Sequence, residues 1–189
     1  MSLTVDEIRK AATDERDRVR VIDRWRSAYA GAAPERPLLV KATPPFKDYY
    51  IVEFRQAHGT TGLMLASPDT GKIRAMTGVR TPGKALSRFL RPEEVPAQLD
   101  AYRHELQSHA AAPGTPVTYG DFRDGLVRNF NAANVTVDPV LFWEASDQSL
   151  TPYYPFYRVT HKTPDRTDHF LVRVDGEVVE KTTRAGRGM

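Results

Sequence analysis

The chain has 189 residues and a mass of 21.3 kDa, with 40% hydrophobic residues, 27% charged residues and no cysteine. That composition suits a soluble globular protein of one domain or two small ones. It excludes a disulfide framework, a thiol nucleophile and any cysteine-ligated metal site. The net charge of +3 divides unevenly: residues 1–95 carry 17 bases and 12 acids, residues 96–189 carry 10 bases and 12 acids. Any basic face therefore belongs to the first half, and the small net charge does not point to nucleic acid.

The chain opens without an apolar run of signal-peptide length, and no window reaches the length of a membrane span. A cytoplasmic protein with no membrane partner is expected. Apolar residues at Val5, Ile8, Ala12, Val19, Ile22, Trp25 and Tyr29 predict one helix, with a polar gap at Glu15 and Arg16. Thr4 is its N-cap, with Glu7 at the capping-box position. Gly31 and Pro34 end it.

Four strands follow. Leu38 to Val40 is a short apolar run. In YYIVEFRQ, Tyr50, Val52 and Phe54 share one face; Ile51, Glu53 and Arg55 share the other. In GLMLAS, Leu63 and Leu65 alternate with Met64 and Ala66. Pro68-Asp69-Thr70-Gly71 reads as a hairpin turn, because glycine takes positive φ without a Cβ clash. KIRAMT then sets Ile73 and Ala75 opposite Arg74 and Met76.

Pro82 to Leu90 predicts a short helix, and Arg91 to Glu94 begins another carrying Val95, Leu99, Tyr102 and Leu106. HAAAPGTP, residues 109–116, reads as a linker. Tyr119 to Asn131 carries Phe122, Leu126, Val127 and Phe130 at helical spacing. Val140 to Trp143, FYRVTH, HFLVRV and EVVEK predict strands, and Asp175-Gly176 is the strongest short hairpin signal in the chain.

Residues 37–78 and 139–184 thus repeat one order: an apolar run, a proline-bearing connection, paired tyrosines, then strands joined by turns. The expected class is α+β: two tandem helix-on-antiparallel-sheet (α-β-β-β-β) modules with a helical connector. The first module covers 1–80, the connector 81–117, the second module 118–184 and a mobile tail 185–189. Each sheet is expected to have one apolar and one mixed face. The copies are expected to pack as an intramolecular pseudo-dimer, since four-stranded sheets are marginal alone.

YYIVEFRQ, GLMLAS and Asp69-Thr70-Gly71-Lys72-Ile73 resemble a PepSY-type or cystatin-like module, over about the first 80 residues and again over 118–184. The resemblance implies a helix packed on an antiparallel sheet. It also implies a non-catalytic module that binds or restrains a peptide, often a protease. Two departures stand out. Many PepSY proteins are exported, whereas no signal segment is read here. The cystatin pattern Gln-x-Val-x-Gly is absent: Gln56-Ala57-His58-Gly59 has the wrong spacing and lacks the valine, so no inhibitory residue carries over.

Candidate chemistry is sparse. His104 and His109 are five apart on a predicted helix and so face differently. His58 stands alone. His161 and His169 flank a hairpin with Asp165 and Asp168, and approach one another if the strands pair in register; exposed hairpin residues are the plainer reading. Asp121 and Asp124 lie one turn apart, where Asp121 suits a helix N-terminus. Asp69 and Asp175 are turn residues. Phosphate-loop, dinucleotide, nucleophile-elbow and HExxH motifs are absent, Gly83-Lys84 lacking the glycine-rich lead-in. Arg16, Arg18, Arg20, Arg24 and Arg26 are interleaved with Asp14, Glu15, Asp17 and Asp23, which favours local ion pairs on a solvated helix face.

Aromatic residues are the most suggestive feature. Phe142, Trp143, Tyr153, Tyr154, Phe156 and Tyr157 cluster with Pro152 and Pro155, and Phe46, Tyr49, Tyr50 and Phe54 are their counterparts. Core packing accounts for most of them, and the rest suit a groove. Pro155 suggests an edge strand, where a peptide can add. The expected function is a non-catalytic binding protein for a peptide or protein, such as a protease or a co-encoded protein, with no cofactor or metal. Its candidate binding residues are Trp143, Tyr153, Tyr154, Tyr157, His161, Asp168, Tyr49 and Tyr50. The alternatives are a pocket enzyme or small-molecule carrier on a cystatin-like fold using Trp143, Tyr154, Tyr157, His161 and Asp168, and a homo-oligomeric structural subunit, for instance a homodimer.

Overall fold

A computed structural model of the chain describes residues 2–79, 88–110, 126, 129–147, 149–164 and 167–180. Among them are three α-helices and ten strands, a mixed α+β protein. The short helix expected over Pro82–Leu90, the linker 109–116, the helix over Tyr119–Asn131, Asp121 and Asp124, Asp165, and the tail fall wholly or mainly outside the described residues. The chain forms two compact units: residues 1–89 with 140–155, and residues 90–139 with 156–189.

In the first unit, α1 (Val5–Val19) starts at the expected capping box. The Thr4 N–H donates to the Glu7 carboxylate at 2.8 Å, and the Glu7 N–H donates to the Thr4 hydroxyl at 3.3 Å. The predicted single helix is in fact two. It breaks after Val19, where Ile22 is extended at φ −82°, ψ 123°, and α2 (Asp23–Tyr29) follows. The reason is phase. Ile8, Ala12 and Val19 are the buried stripe of α1. A straight continuation would bring Asp23, Arg26 and Ala30 onto the sheet. The break rephases the chain so that Ala28 and Tyr29 are buried instead and Trp25 packs beside them, leaving Val21 and Ile22 at the exposed corner.

The sheet of this unit runs β7-β2-β3-β4-β5. Its strands are β2 (Leu38–Ala42), β3 (Tyr49–Gln56), β4 (Gly59–Ala66), β5 (Ile73–Gly78) and β7 (Leu141–Trp143). A two-residue strand, β1 (Ala33–Pro34), pairs with the far end of β3. The β2–β5 pairings are antiparallel, and the turn at Asp69–Gly71 forms as expected, with Gly71 at φ 67° and its N–H on the Ser67 carbonyl at 2.9 Å. Two expectations fail. Val140–Trp143 is expected to open a second antiparallel sheet, but Leu141–Trp143 pairs parallel with Val40–Ala42. A three-residue apolar strand specifies no partner, and beside β2 both Leu141 and Trp143 are buried, as is Val40. The sheet also lacks a mixed face. Val52, Phe54, Met64 and Ala66 meet α1 and α2, while Tyr49, Ile51, Leu63, Leu65, Val40, Leu141 and Trp143 are equally buried on the other side.

A bulge modifies β5. Leu65 and Ala66 face Ala75 and Ile73, leaving Arg74 as the extra residue. Ile73 therefore joins Met76 against the helices, rather than lying opposite it as simple alternation predicts.

In the second unit, a 3-10 turn (Pro92–Glu94) leads into α3 (Val95–Ala110), as the sequence predicts. Its buried residues are Val95, Leu99 and Leu106. The sheet comprises β8 (Phe156–Lys162), β9 (Thr167–Arg173) and β10 (Val178–Glu180) as an antiparallel meander, with β6 (Val135–Val137) on β8. Asp175-Gly176 forms the predicted turn, with Gly176 at φ 92°. Here the faces do differ. Tyr157, Val159, Phe170 and Val172 are buried, while Arg158 and His169 on the other side are exposed.

The same local arrangement recurs in both units. The Leu3 N–H donates to Pro68 at 2.8 Å, and the Leu90 N–H donates to Val174 at 2.7 Å. Eight residues further on, Ala11 packs on Gly71 and Gln98 packs on Gly176. The stripe Ile8, Ala12, Val19 has the spacing of Val95, Leu99, Leu106.

Candidate functional site

The eight candidate residues divide between the units. In the first, Tyr49 is buried and its hydroxyl donates to the Pro152 carbonyl at 2.6 Å. Trp143 is 3% exposed; its indole donates to the Ser149 hydroxyl at 3.2 Å, and Phe46 packs edge-on at 4.8 Å. Tyr50 is half-buried against the α1–α2 core. Tyr153 and Tyr154 are half-buried, the Tyr154 carbonyl lying 2.9 Å from the Ser149 hydroxyl. Tyr49, Trp143 and Pro152 thus come together from positions a hundred residues apart, as a core closed by a loop. Pro155 lies just before β8 and is buried, so it marks no open edge.

In the second unit, Tyr157 is buried and donates to the Leu90 carbonyl at 2.9 Å. Burial pushes its phenol up to about 12, so it serves as a neutral donor. Tyr157→Phe is expected to cost about 1–2 kcal/mol, because a carbonyl loses its partner. Chemical denaturation checks this, and an unchanged midpoint would discount the bond.

Against the expectation of exposed hairpin residues, His161 and Asp168 are cross-strand partners at 0% and 6% exposure. His161 stacks on Phe130 at 5.4 Å and accepts the Asn131 N–H at 3.2 Å. His169 pairs across from Thr160, so it projects to the opposite, exposed face. The two histidines cannot share a ligand. No group of three or more metal-binding side chains exists among the described residues. No helix among them is long and apolar enough to cross a membrane.

A carboxyl that the sequence reading left on a mixed face proves to be interior. Glu53 is 5% exposed, accepting the Phe89 N–H at 3.1 Å and the Thr60 hydroxyl. Burial raises its pKa against the effect of those two bonds and of the nearby Arg55 charge. A lone acid amid apolar strand residues was the available signal.

None of the eight residues lines any of three surface clefts. Two of these clefts lie in the first unit and meet at Trp25. The larger, of about 630 Å³, is bounded by Arg24, Trp25, Ser27 and Ala28 of α2 and by Thr61, Gly78 and Val79. The smaller, of about 310 Å³, lies between Arg18, Ile22, Arg24 and Trp25 on one side and Ile73–Met76 of β5 on the other. The Arg24 guanidinium sits 4.8 Å from the Trp25 ring centre. Arg16, Arg18, Arg20 and Arg26 pair locally with Asp17, Glu15 and Asp23, as the interleaved charges predict. Arg24 has no carboxylate partner among the described residues. Sequence reading missed this groove because Trp25 fits a helical apolar stripe and reads as core. The third cleft, of about 480 Å³, lies on the open face of the second unit's sheet, among Thr136, Asp138, Arg158, Thr160, His169 and Leu171.

The chain matches no protein-family model, no curated protein and no solved structure.

Proposed function

We propose that the chain is a non-catalytic binding protein that takes an extended segment of a peptide or protein partner along the outer edge of β5. The observation that carries this reading is the pair of clefts that meet at Trp25, the smaller walled by helix residues and Ile73–Met76 of β5, the larger by α2 residues with Thr61 of β4, Gly78 at the end of β5 and Val79. β5 pairs with β4, and no described strand pairs with its other side. Such an edge offers unpaired backbone groups to an incoming strand, and the pockets beside it take the partner's side chains. Trp25 is the anchor, half-buried and backed by Tyr29 at 6.1 Å. The exposed Val21 and Ile22 extend the apolar surface at one end.

In the same reading, the two units are tandem copies of one cystatin-like or PepSY-like plan. The recurring Leu3–Pro68 and Leu90–Val174 bonds support it; in this reading the second copy starts near Leu90, and α3 corresponds to α1.

Selection of linear peptides from a random library on the full chain tests the proposal. Trp25→Ala is expected to weaken the selected peptides at least about tenfold. Ser27→Arg, an exposed substitution that fills the larger cleft, is expected to weaken them without altering thermal stability. Backbone amides of residues 73–78 are expected to exchange more slowly when peptide is bound. Peptides indifferent to both substitutions, or no peptide at all, would overturn the reading.

One observation favours a second reading, that of a small-molecule carrier or enzyme. The cleft of about 480 Å³ gathers a guanidinium, an imidazole, a carboxyl and two hydroxyls over a sheet face.

A further inference from the structure

We propose that two copies of the chain associate about a two-fold axis through a pair of loops in the first unit, the loop after β2 and the loop after β7. Phe46 of each copy seats against Leu150 of the other, and Lys47 of each faces Glu144 and Asp147 of the other. None of these five residues lines the clefts beside β5, so the surface stands independently of the groove.

The parallel pairing of β2 with β7 brings the two loops together. The Thr43 N–H donates to the Trp143 carbonyl at 3.1 Å, the Phe46 ring meets the Trp143 indole edge-on at 4.8 Å, and the indole N–H donates to the Ser149 hydroxyl at 3.2 Å. Phe46 and Leu150, the neighbour of Ser149, are therefore presented around one indole. Phe46 is 50% exposed and Leu150 80% exposed. A single exposed apolar residue is ordinary, whereas two on adjoining loops make a patch of the kind that marks an interaction site.

Both loops are braced. The Phe46 N–H donates to the Thr43 carbonyl at 3.1 Å, and the Asp48 carboxylate accepts the Ala42 N–H at 3.1 Å and the Lys41 ammonium at 2.6 Å. In the other loop the Ser149 N–H donates to the Ser146 carbonyl at 3.0 Å, and the Tyr154 carbonyl lies 2.9 Å from the Ser149 hydroxyl. A patch held in place this way loses little entropy when it is covered.

Charge selects the occupant. Lys47, Glu144 and Asp147 are exposed, and none of them has a charged partner among the described residues. The acid next to Lys47, Asp48, is taken up by Lys41. The loop of Phe46 thus carries one uncancelled positive charge, and the loop of Leu150 carries two negative ones. Each loop combines an exposed apolar residue with charge of one sign, and the two signs are opposite. A surface made of two such halves complements its own copy when turned about a two-fold axis, and every contact then occurs twice. Two short loops bury an area at the low end of specific interfaces, which sets the association in the micromolar range.

Sedimentation equilibrium of the full chain tests this. Between about 1 and about 500 μM, the weight-average mass is expected to climb from 21.3 kDa towards twice that value. Raising salt from about 50 to about 500 mM is expected to shift the climb to higher concentration, because the charges are exposed. Leu150→Ser, Lys47→Glu and the pair Glu144→Lys/Asp147→Lys are each expected to raise the dissociation constant at least about fivefold. All four positions are exposed, so thermal unfolding followed by circular dichroism is expected to stay unchanged. An equimolar mixture of Lys47→Glu with Glu144→Lys/Asp147→Lys is expected to associate again, since each loop then faces the opposite charge. A mass that stays at 21.3 kDa throughout, a dimer indifferent to Leu150→Ser and Lys47→Glu, or charge variants that remain apart on mixing would overturn the inference.

Discussion

Gly62→Ala is expected to destabilise the protein by about 3 kcal/mol, from overpacking and a weakened hydrogen bond together. A Cβ at Gly62 would lie 2.5 Å from the Tyr29 Cε1 and 2.8 Å from its Cζ, far inside contact distance. The ring cannot retreat. Tyr29 is fully buried, its hydroxyl is shared between the Leu63 and Thr77 carbonyls at 2.9 Å each, and Phe54 closes its edge at 5.2 Å. Burial also raises its pKa, so the hydroxyl stays a donor at ordinary pH. Urea denaturation measures the loss. Gly78→Ala is the control, since its nearest neighbour is the Ala28 Cβ at 3.3 Å, and it is expected to cost less than about 1 kcal/mol. The pair Gly62→Ala with Tyr29→Leu is expected to lose less than the sum of the single losses, because the shorter side chain vacates the space. A Gly62→Ala variant within about 0.5 kcal/mol of wild type would mean that the ring does not rest on Gly62.

Glu53→Gln is expected to raise stability at neutral pH, with a gain that vanishes in acid. The folded chain holds the Glu53 proton more tightly than the unfolded chain, whose carboxyl titrates near 4.5. Above that pH the unfolded state releases the proton first, so folding is progressively disfavoured until the folded carboxyl also ionises. Within that window each pH unit costs about 1.4 kcal/mol. Below about pH 4 both states are protonated and the penalty is absent. Glutamine keeps a carbonyl for the Phe89 N–H and the Thr60 hydroxyl and is neutral throughout. Glu15 and Asp48, whose pKa values are lowered by Arg18 and by hydrogen bonds and charge from Lys41, pull the other way in both proteins. The difference between wild type and Glu53→Gln therefore isolates Glu53. Parallel pH profiles for the two would show that the carboxyl is not stored in the interior.

The tyrosines named from the sequence illustrate what composition conveys and what it omits. Core packing, the reading given to most of the aromatic cluster, holds for Tyr49, Trp143 and Tyr157, which are all buried. Their role was not legible, because it depends on which acceptor each polar tip reaches: the Pro152 carbonyl for Tyr49, the Ser149 hydroxyl for Trp143 and the Leu90 carbonyl for Tyr157. His161 and Asp168 show the same limit. Their register opposite one another follows from the hairpin, but burial on the inner face depends on where the strands begin to alternate. The groove at Trp25 was invisible for a related reason. Helical periodicity assigned Trp25 to a stripe that the break at Ile22 removes.

By itself the sequence determined whatever a few neighbouring residues decide. The Thr4–Glu7 capping box, the glycine turns at Asp69–Gly71 and Asp175–Gly176, the alternation in β3, β8 and β9, and the stripe of α3 all formed as read. Each rests on local sterics or on a hydrogen bond spanning three or four residues. Tertiary structure decided the rest: the break between α1 and α2, the parallel pairing of Leu141–Trp143 with β2, the bulge at Arg74, the burial of Glu53 and the clefts at Trp25. These are choices among partners distant in the chain. They are settled by how much apolar surface each arrangement removes from water, a quantity no local window contains.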